Sequence, residues 1–170
     1  RRSLWPGILL GGIAACLACG TRTLGFLIVP SLLISDMAVH RKPTRLAVAV
    51  TMMCAFWVVL QSKLLGRDTS YFDQFAGWSP RVILDNSIYA ASLAHFWANG
   101  YSKAAAAVLC LVFCGLAARG YLARATERVT SLEVFLPLYL AVIVSWPAEQ
   151  GFRFLVPIMP LVLFYSFSGL

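Results

Sequence analysis

A chain of 170 residues with 60% hydrophobic and only 12% charged residues, and a mean hydropathy of +0.79, cannot hide its apolar surface inside a soluble fold. Ordinary soluble domains are about 45–50% apolar and about 25% charged, so the surplus must face lipid. The net charge of +7 would point to nucleic acid in a soluble protein; here it fits cytoplasmic loops and anionic head groups.

Residues 4–20 form an apolar run rich in small residues (Gly7, Gly11, Gly12, Ala14, Ala15, Ala18), a composition suited to close helix packing. Thr21-Arg22-Thr23 interrupts it, and a second run over 24–39 is broken by Pro30. His40-Arg41-Lys42-Pro43-Thr44-Arg45 is a basic turn before a third run over 46–62. Each run is near the ~20 residues that a membrane-crossing helix needs. A polar and aromatic stretch follows, and Pro80 and two glycines argue against one continuous helix through it. Over 81–97 apolar residues recur at helical spacing around Asp85, Asn86, Ser87 and His95, which predicts an amphipathic helix on the membrane surface. A fourth run covers 104–118, and Arg119, Arg124 and Arg128 form a second basic patch around Glu127. The fifth and sixth runs, 132–146 and 154–167, are joined by 147–153, too short a loop to hold structure of its own.

The pattern predicts an all-α polytopic membrane bundle of about six transmembrane helices plus one interfacial helix. Residues 1–170 then form a single transmembrane domain, with 63–100 as an extracytoplasmic loop and interfacial helix. The chain opens Arg-Arg-Ser-Leu-Trp-Pro without a methionine and stops just past an apolar run, which reads as a fragment of a longer protein. No A-x-A-like site follows the first run, against a cleaved signal peptide. With Arg1 and Arg2 in the cytoplasm, alternation puts eight basic and three acidic residues on that side, and six basic and four acidic on the other. Positive-inside counting favours this orientation. It places Arg22, the 63–97 segment and Arg153 together on the extracytoplasmic side.

Two arginines carry the chemistry. Arg153, in S-W-P-A-E-Q-G-F-R-F-L-V-P-I-M-P, and Arg22, in A-C-G-T-R-T-L-G, both sit between lipid-facing runs. A guanidinium stays charged and matches phosphate oxygens in bidentate fashion, so the pair could clamp a lipid-linked phosphate. The competing reading is snorkelling to the interface. Tyr71, Asp73, Asp85, Asn86 and Tyr89 are candidates for contact with a carbohydrate or head group, whereas Trp78 and Trp97 read as belt anchors. Spacing singles out no carboxylate as a general base. Cys16-Leu-Ala-Cys19 has metal and redox spacing, but all five cysteines fall inside apolar runs and read as small apolar residues. No histidine completes a metal set, and there is no Gly-rich phosphate loop, H-E-x-x-H or G-x-S-x-G.

The stretch L-P-L-Y-L-A-V-I-V-S-W-P-A-E-Q-G-F-R-F-L-V-P-I-M-P-L-V-L resembles the late helices of GT-C glycosyltransferases, and G-G-I-A-A-C-L-A-C-G-T-R-T-L-G-F-L-I-V-P is similar to a helix–Arg–helix element in their middle. The relatives include protein O-mannosyltransferases and aminoarabinose transferases. The matched positions are Thr21, Arg22 and Gly25, then Arg153, Phe154, Pro157 and Pro160. The resemblance implies transfer of a sugar from a polyprenyl-phosphate carrier to a lipid, glycan or protein acceptor outside a membrane, with inversion. An aspartate in an earlier loop acts as base, and a divalent metal is sometimes involved. That loop is missing here, so the resemblance puts the catalytic residue outside this chain. It leaves Arg22 and Arg153 for the carrier phosphate and implies a multi-pass protein of the bacterial inner membrane with no nucleic-acid partner. The alternative is a transporter or flippase fragment for a lipid-linked or amphiphilic substrate, which should show paired half-helices and internal repeats; no clear repeat relates the two halves. A non-catalytic membrane scaffold is a third reading and would need no inward-facing arginine.

Overall fold

The computed structural model describes residues 5–21, 23–64, 78–86, 102–147 and 151–170. Among these the chain is all-helical, with seven α-helices and no strand. They are α1 (Trp5–Thr21), α2 (Ile28–His40), α3 (Arg45–Leu64), α4 (Arg81–Asp85), α5 (Lys103–Glu127), α6 (Ser131–Val144) and α7 (Met159–Ser168). Short 3-10 segments precede α2 (Thr23–Leu27) and α7 (Gly151–Phe154 and Val156–Ile158).

Six spans were expected. Two helices, α3 and α5, are long and apolar enough to cross a membrane alone, and the other apolar helices run 10–17 residues. A rise of about 1.5 Å per residue makes ~20 residues the length that covers ~30 Å of hydrocarbon. Only 17% of each qualifying window is buried, so the apolar side chains of α3 and α5 point outward rather than into a core. Three boundaries differ from expectation for physical reasons. Helix α5 continues past residue 118 through Arg119 and Arg124, because arginine is a good helix former and charge alone does not stop a helix. Pro30 lies in the first turn of α2, where the N–H it lacks has no intrahelical acceptor to miss. The connection before Arg153 holds a 3-10 turn, Gly151–Phe154, where no structure was expected. Of the interfacial helix expected over 81–97, the described residues show α4, and the rest lies outside them.

The chain divides into two compact units, Arg1–Ser70 with Val129–Tyr139, and Tyr71–Arg128 with Leu140–Leu170. In the first unit α1 and α2 pack on α3. Its core is made of small side chains, Ala15 and Cys19 of α1 against Val50 and Cys54 of α3. The 3-10 segment folds back so closely on α1 that a Cβ on Gly25 would meet the Ala18 carbonyl and lie 2.7 Å from the Cys19 nitrogen, so that only glycine fits. Arg41 ends α2 in the left-handed region, with φ 56°, and its N–H donates to Met37 O at 3.1 Å. Thr44 then starts α3. Its hydroxyl accepts from Ala47 N at 3.2 Å, while its own N–H and O–H donate to Asp36 Oδ2 at 2.7 and 2.6 Å. Asp36 thereby ties the end of α2 to the start of α3. Thr44→Ala removes the cap and the hydroxyl half of this tie while keeping the N–H bond to Asp36, and unfolding in mild detergent should show a loss of about 1–2 kcal/mol.

Within the same unit Thr130-Ser-Leu-Glu133 is a capping box at the start of α6. Thr130 N–H donates to Glu133 Oε2 at 2.9 Å and Thr130 Oγ1 accepts from Leu132 N at 3.3 Å. In the second unit α5 packs along α7. Their backbones meet at two glycines: a Cβ on Gly120 would strike the Tyr165 carbonyl and one on Gly169 the Leu116 carbonyl. Tyr165 is fully buried there, with its ring edge-on to Tyr121 at 5.5 Å. Ser166 Oγ donates to Phe113 O at 3.0 Å, and Arg124 lies 4.6 Å from the centroid of the Phe164 ring.

Candidate functional site

The site is built around the C-terminal end of α6. The last carbonyls of a helix have no partner within it and carry its negative dipole end. Here side chains from α4 and the turn before it supply donors. Asn86 Nδ2 donates to Val144 O at 2.9 Å and Trp146 O at 2.8 Å, with a longer approach of 3.5 Å to Ile143 O. Trp78 Nε1 donates to Ser145 O at 2.9 Å. Asn86 is 3% exposed, so its bonds are shielded from water and its donor is costly to lose, whereas the Trp78 bond is exposed.

Trp146, itself buried, meets the Phe154 ring edge-on at 5.8 Å. Phe154 closes the 3-10 turn that carries Arg153, whose side chain is exposed. Leu155 and Ile158 anchor the following segment in the core, and Pro157 and Pro160 set the starts of the next 3-10 turn and of α7. The order of parts is therefore a capped helix end, a buried tryptophan, an aromatic contact and an exposed guanidinium. Satisfying the α6 carbonyls weakens the partial negative charge at the end of the helix that leads to Arg153.

Three of the sequence candidates fall in this region. Arg153 is exposed on its turn, Asp85 is exposed at the end of α4, and Asn86 is buried with its amide nitrogen committed to α6. A ligand could recruit that nitrogen only by displacing the helix end. Arg22, Tyr71, Asp73 and Tyr89 lie outside the described residues. Reading Trp78 as a belt anchor missed its bond to Ser145. The S-W-P sequence marks a helix end, but nothing local says which distant donors cap it. Among the described residues no group of three His, Cys, Asp or Glu side chains could hold a metal ion. Cys110 and Cys114 approach to 3.9 Å between sulfurs along one face of α5. Comparison of the chain with protein-family models, with curated proteins and with solved structures finds no match.

Proposed function

We propose that the chain is the membrane core of a glycosyltransferase that moves a sugar from a polyprenyl-phosphate carrier to an acceptor on the extracytoplasmic face. The observation that carries this reading is Arg153, exposed near the start of an apolar segment. With a rise of about 2.0 Å per residue in 3-10 turns and about 1.5 Å in α-helix, the stretch from Gly151 to Ser168 reaches roughly 30 Å. By the same measure Thr23–Leu27 with α2 also comes to about 30 Å. Such composite spans support a multi-pass inner-membrane bundle larger than α3 and α5 alone. In this reading Arg153 lies within one turn of the interface, where a guanidinium is far less costly than at mid-bilayer.

The acceptor oxygen attacks the anomeric carbon and gives its proton to a general base. The bond from that carbon to the phosphate oxygen breaks, and the carrier phosphate leaves with the electron pair. Arg153 stabilises the charge that develops there, with two parallel N–H donors suited to phosphate oxygens. The intact protein, given a polyprenyl-phosphate sugar, should lose transfer by about 10²- to 10³-fold on Arg153→Ala. Arg153→Lys should restore part of it, since charge is kept and the planar fork is lost. Undiminished transfer by Arg153→Ala would exclude the phosphate role. Loss of lipid movement in a protein that never transfers sugar would favour the flippase.

A further inference from the structure

The hairpin of α2 and α3 carries two features that sugar transfer does not use. A groove of about 270 Å³ runs between the helices, with Phe26, Val29 and Pro30 on one wall and Thr51, Ala55 and Val58 on the other. Its Thr51 hydroxyl is turned back onto its own helix, donating to Ala47 O at 2.7 Å, so it is committed before any ligand arrives. A hydrocarbon suits such walls, and the volume is at the lower edge of ordinary ligand pockets of about 300–1,000 Å³, which favours a narrow chain over a ring system.

The second feature closes one end of the hairpin. His40, Arg41, Lys42 and Arg45 are all exposed on the α2–α3 turn. The acidic residue closest to them in sequence, Asp36, is engaged by Thr44. Arg41, Lys42 and Arg45 against Asp36 leave the turn at +2 with His40 neutral. Along α3, Thr51 lies six residues and Val58 thirteen residues from Arg45, or about 9 and 20 Å at the helical rise. That is the depth range of one leaflet's acyl chains when the turn sits at the head groups of a ~30 Å bilayer.

From this juxtaposition we infer that the hairpin holds one anionic phospholipid of the surrounding leaflet, its head group on the basic turn and one acyl chain in the groove. Charge complementarity selects the anionic class, because basic residues beside an apolar span attract such head groups. The inference rests on the membrane reading above but not on sugar transfer.

The test uses the intact protein, purified from membranes and exchanged into lipid discs of phosphatidylcholine with or without phosphatidylglycerol, with bound lipid counted by native mass spectrometry. We expect one retained phosphatidylglycerol, preferred over phosphatidylcholine by on the order of tenfold. Arg41→Gly with Lys42→Ser and Arg45→Ser should abolish the preference; glycine suits the left-handed backbone at 41. Ala55→Trp, at an exposed lining position, should lower retention of both lipids while the unfolding temperature of delipidated protein stays unchanged. Equal retention of the two lipids by the unsubstituted protein, or a preference that survives the triple substitution, overturns the inference. A protein that transfers sugar and shows no lipid preference sinks this site alone, whereas one released from membranes without detergent sinks the membrane reading first.

Discussion

Gly120→Val should disrupt the α5–α7 pair, with a loss of about 2–6 kcal/mol. A Cβ at Gly120 meets backbone, the Tyr165 carbonyl and the Gly169 nitrogen at 2.8 Å, so no side-chain rotation can make room. Helix α7 would have to retreat, and three contacts go with it: the Ser166 bond to Phe113, the edge contact of Tyr165 on Tyr121, and Arg124 over Phe164. Overpacking costs about 1–3 kcal/mol by itself. An interhelical hydrogen bond in a membrane adds about 0.6–1.7 kcal/mol and the cation–π contact about 0.5–1 kcal/mol. Denaturant titration in mixed micelles, followed by circular dichroism, measures the change. Gly115→Ala is the matched control. Nothing lies within 4 Å of a Cβ at Gly115, so that substitution should be neutral or stabilise by up to about 1 kcal/mol through helix propensity. Equal effects at the two glycines would rule out the close approach.

Asn86→Asp should be nearly as damaging although it changes one atom. The amide donates to the Val144 and Trp146 carbonyls, and a carboxylate would set negative oxygen against them at 2.9 and 2.8 Å, at the negative end of α6. Placing an uncompensated charge at a site 3% exposed costs about 3–5 kcal/mol. Asn86→Ala leaves only the unpaired carbonyls and should cost about 2–3 kcal/mol. The two variants separate by pH. The new carboxyl is disfavoured as an anion in the folded state, so its folded pKa rises above the unfolded value of about 3.9. The folded protein then binds more protons, and stability falls as pH rises beyond about 4. Asn86→Asp should therefore unfold more readily at pH 7 than at pH 4, relative to Asn86→Ala. Identical pH profiles for the two variants would mean that Asn86 does not face the α6 carbonyls.

The helices were largely legible because apolar runs announce themselves. The runs at 4–20, 46–62 and 132–146 became α1, α3 and α6 within a few residues. What the residues did not announce was anything decided by a distant partner. Gly7 has open space where its Cβ would be, whereas Gly25, Gly120 and Gly169 meet backbone. Richness in small residues says that helices can approach, and the neighbouring chain decides where. Arg119 and Arg124 were read as the end of a span because charge reports depth in a membrane. The helix runs on beneath them, and Arg124 covers an aromatic ring on α7. Arg153 stood out from its surroundings alone, since an arginine between apolar runs needs a reason. The buried cap made by Asn86 did not, because its acceptors lie 57 to 60 residues further along.

That separation shapes how the protein is made. Trp78 and Asn86 emerge from the ribosome 57 to 67 residues ahead of the carbonyls they will bind. At about 5–20 residues per second, the interval is roughly 3–13 s. During that time their donors have no native acceptor and must be satisfied by water or by other partners. Only after the S-W-P sequence has been synthesised can this part of the second unit lock, so a nascent chain stalled short of Ser145 should leave it open to protease and one stalled well beyond should not.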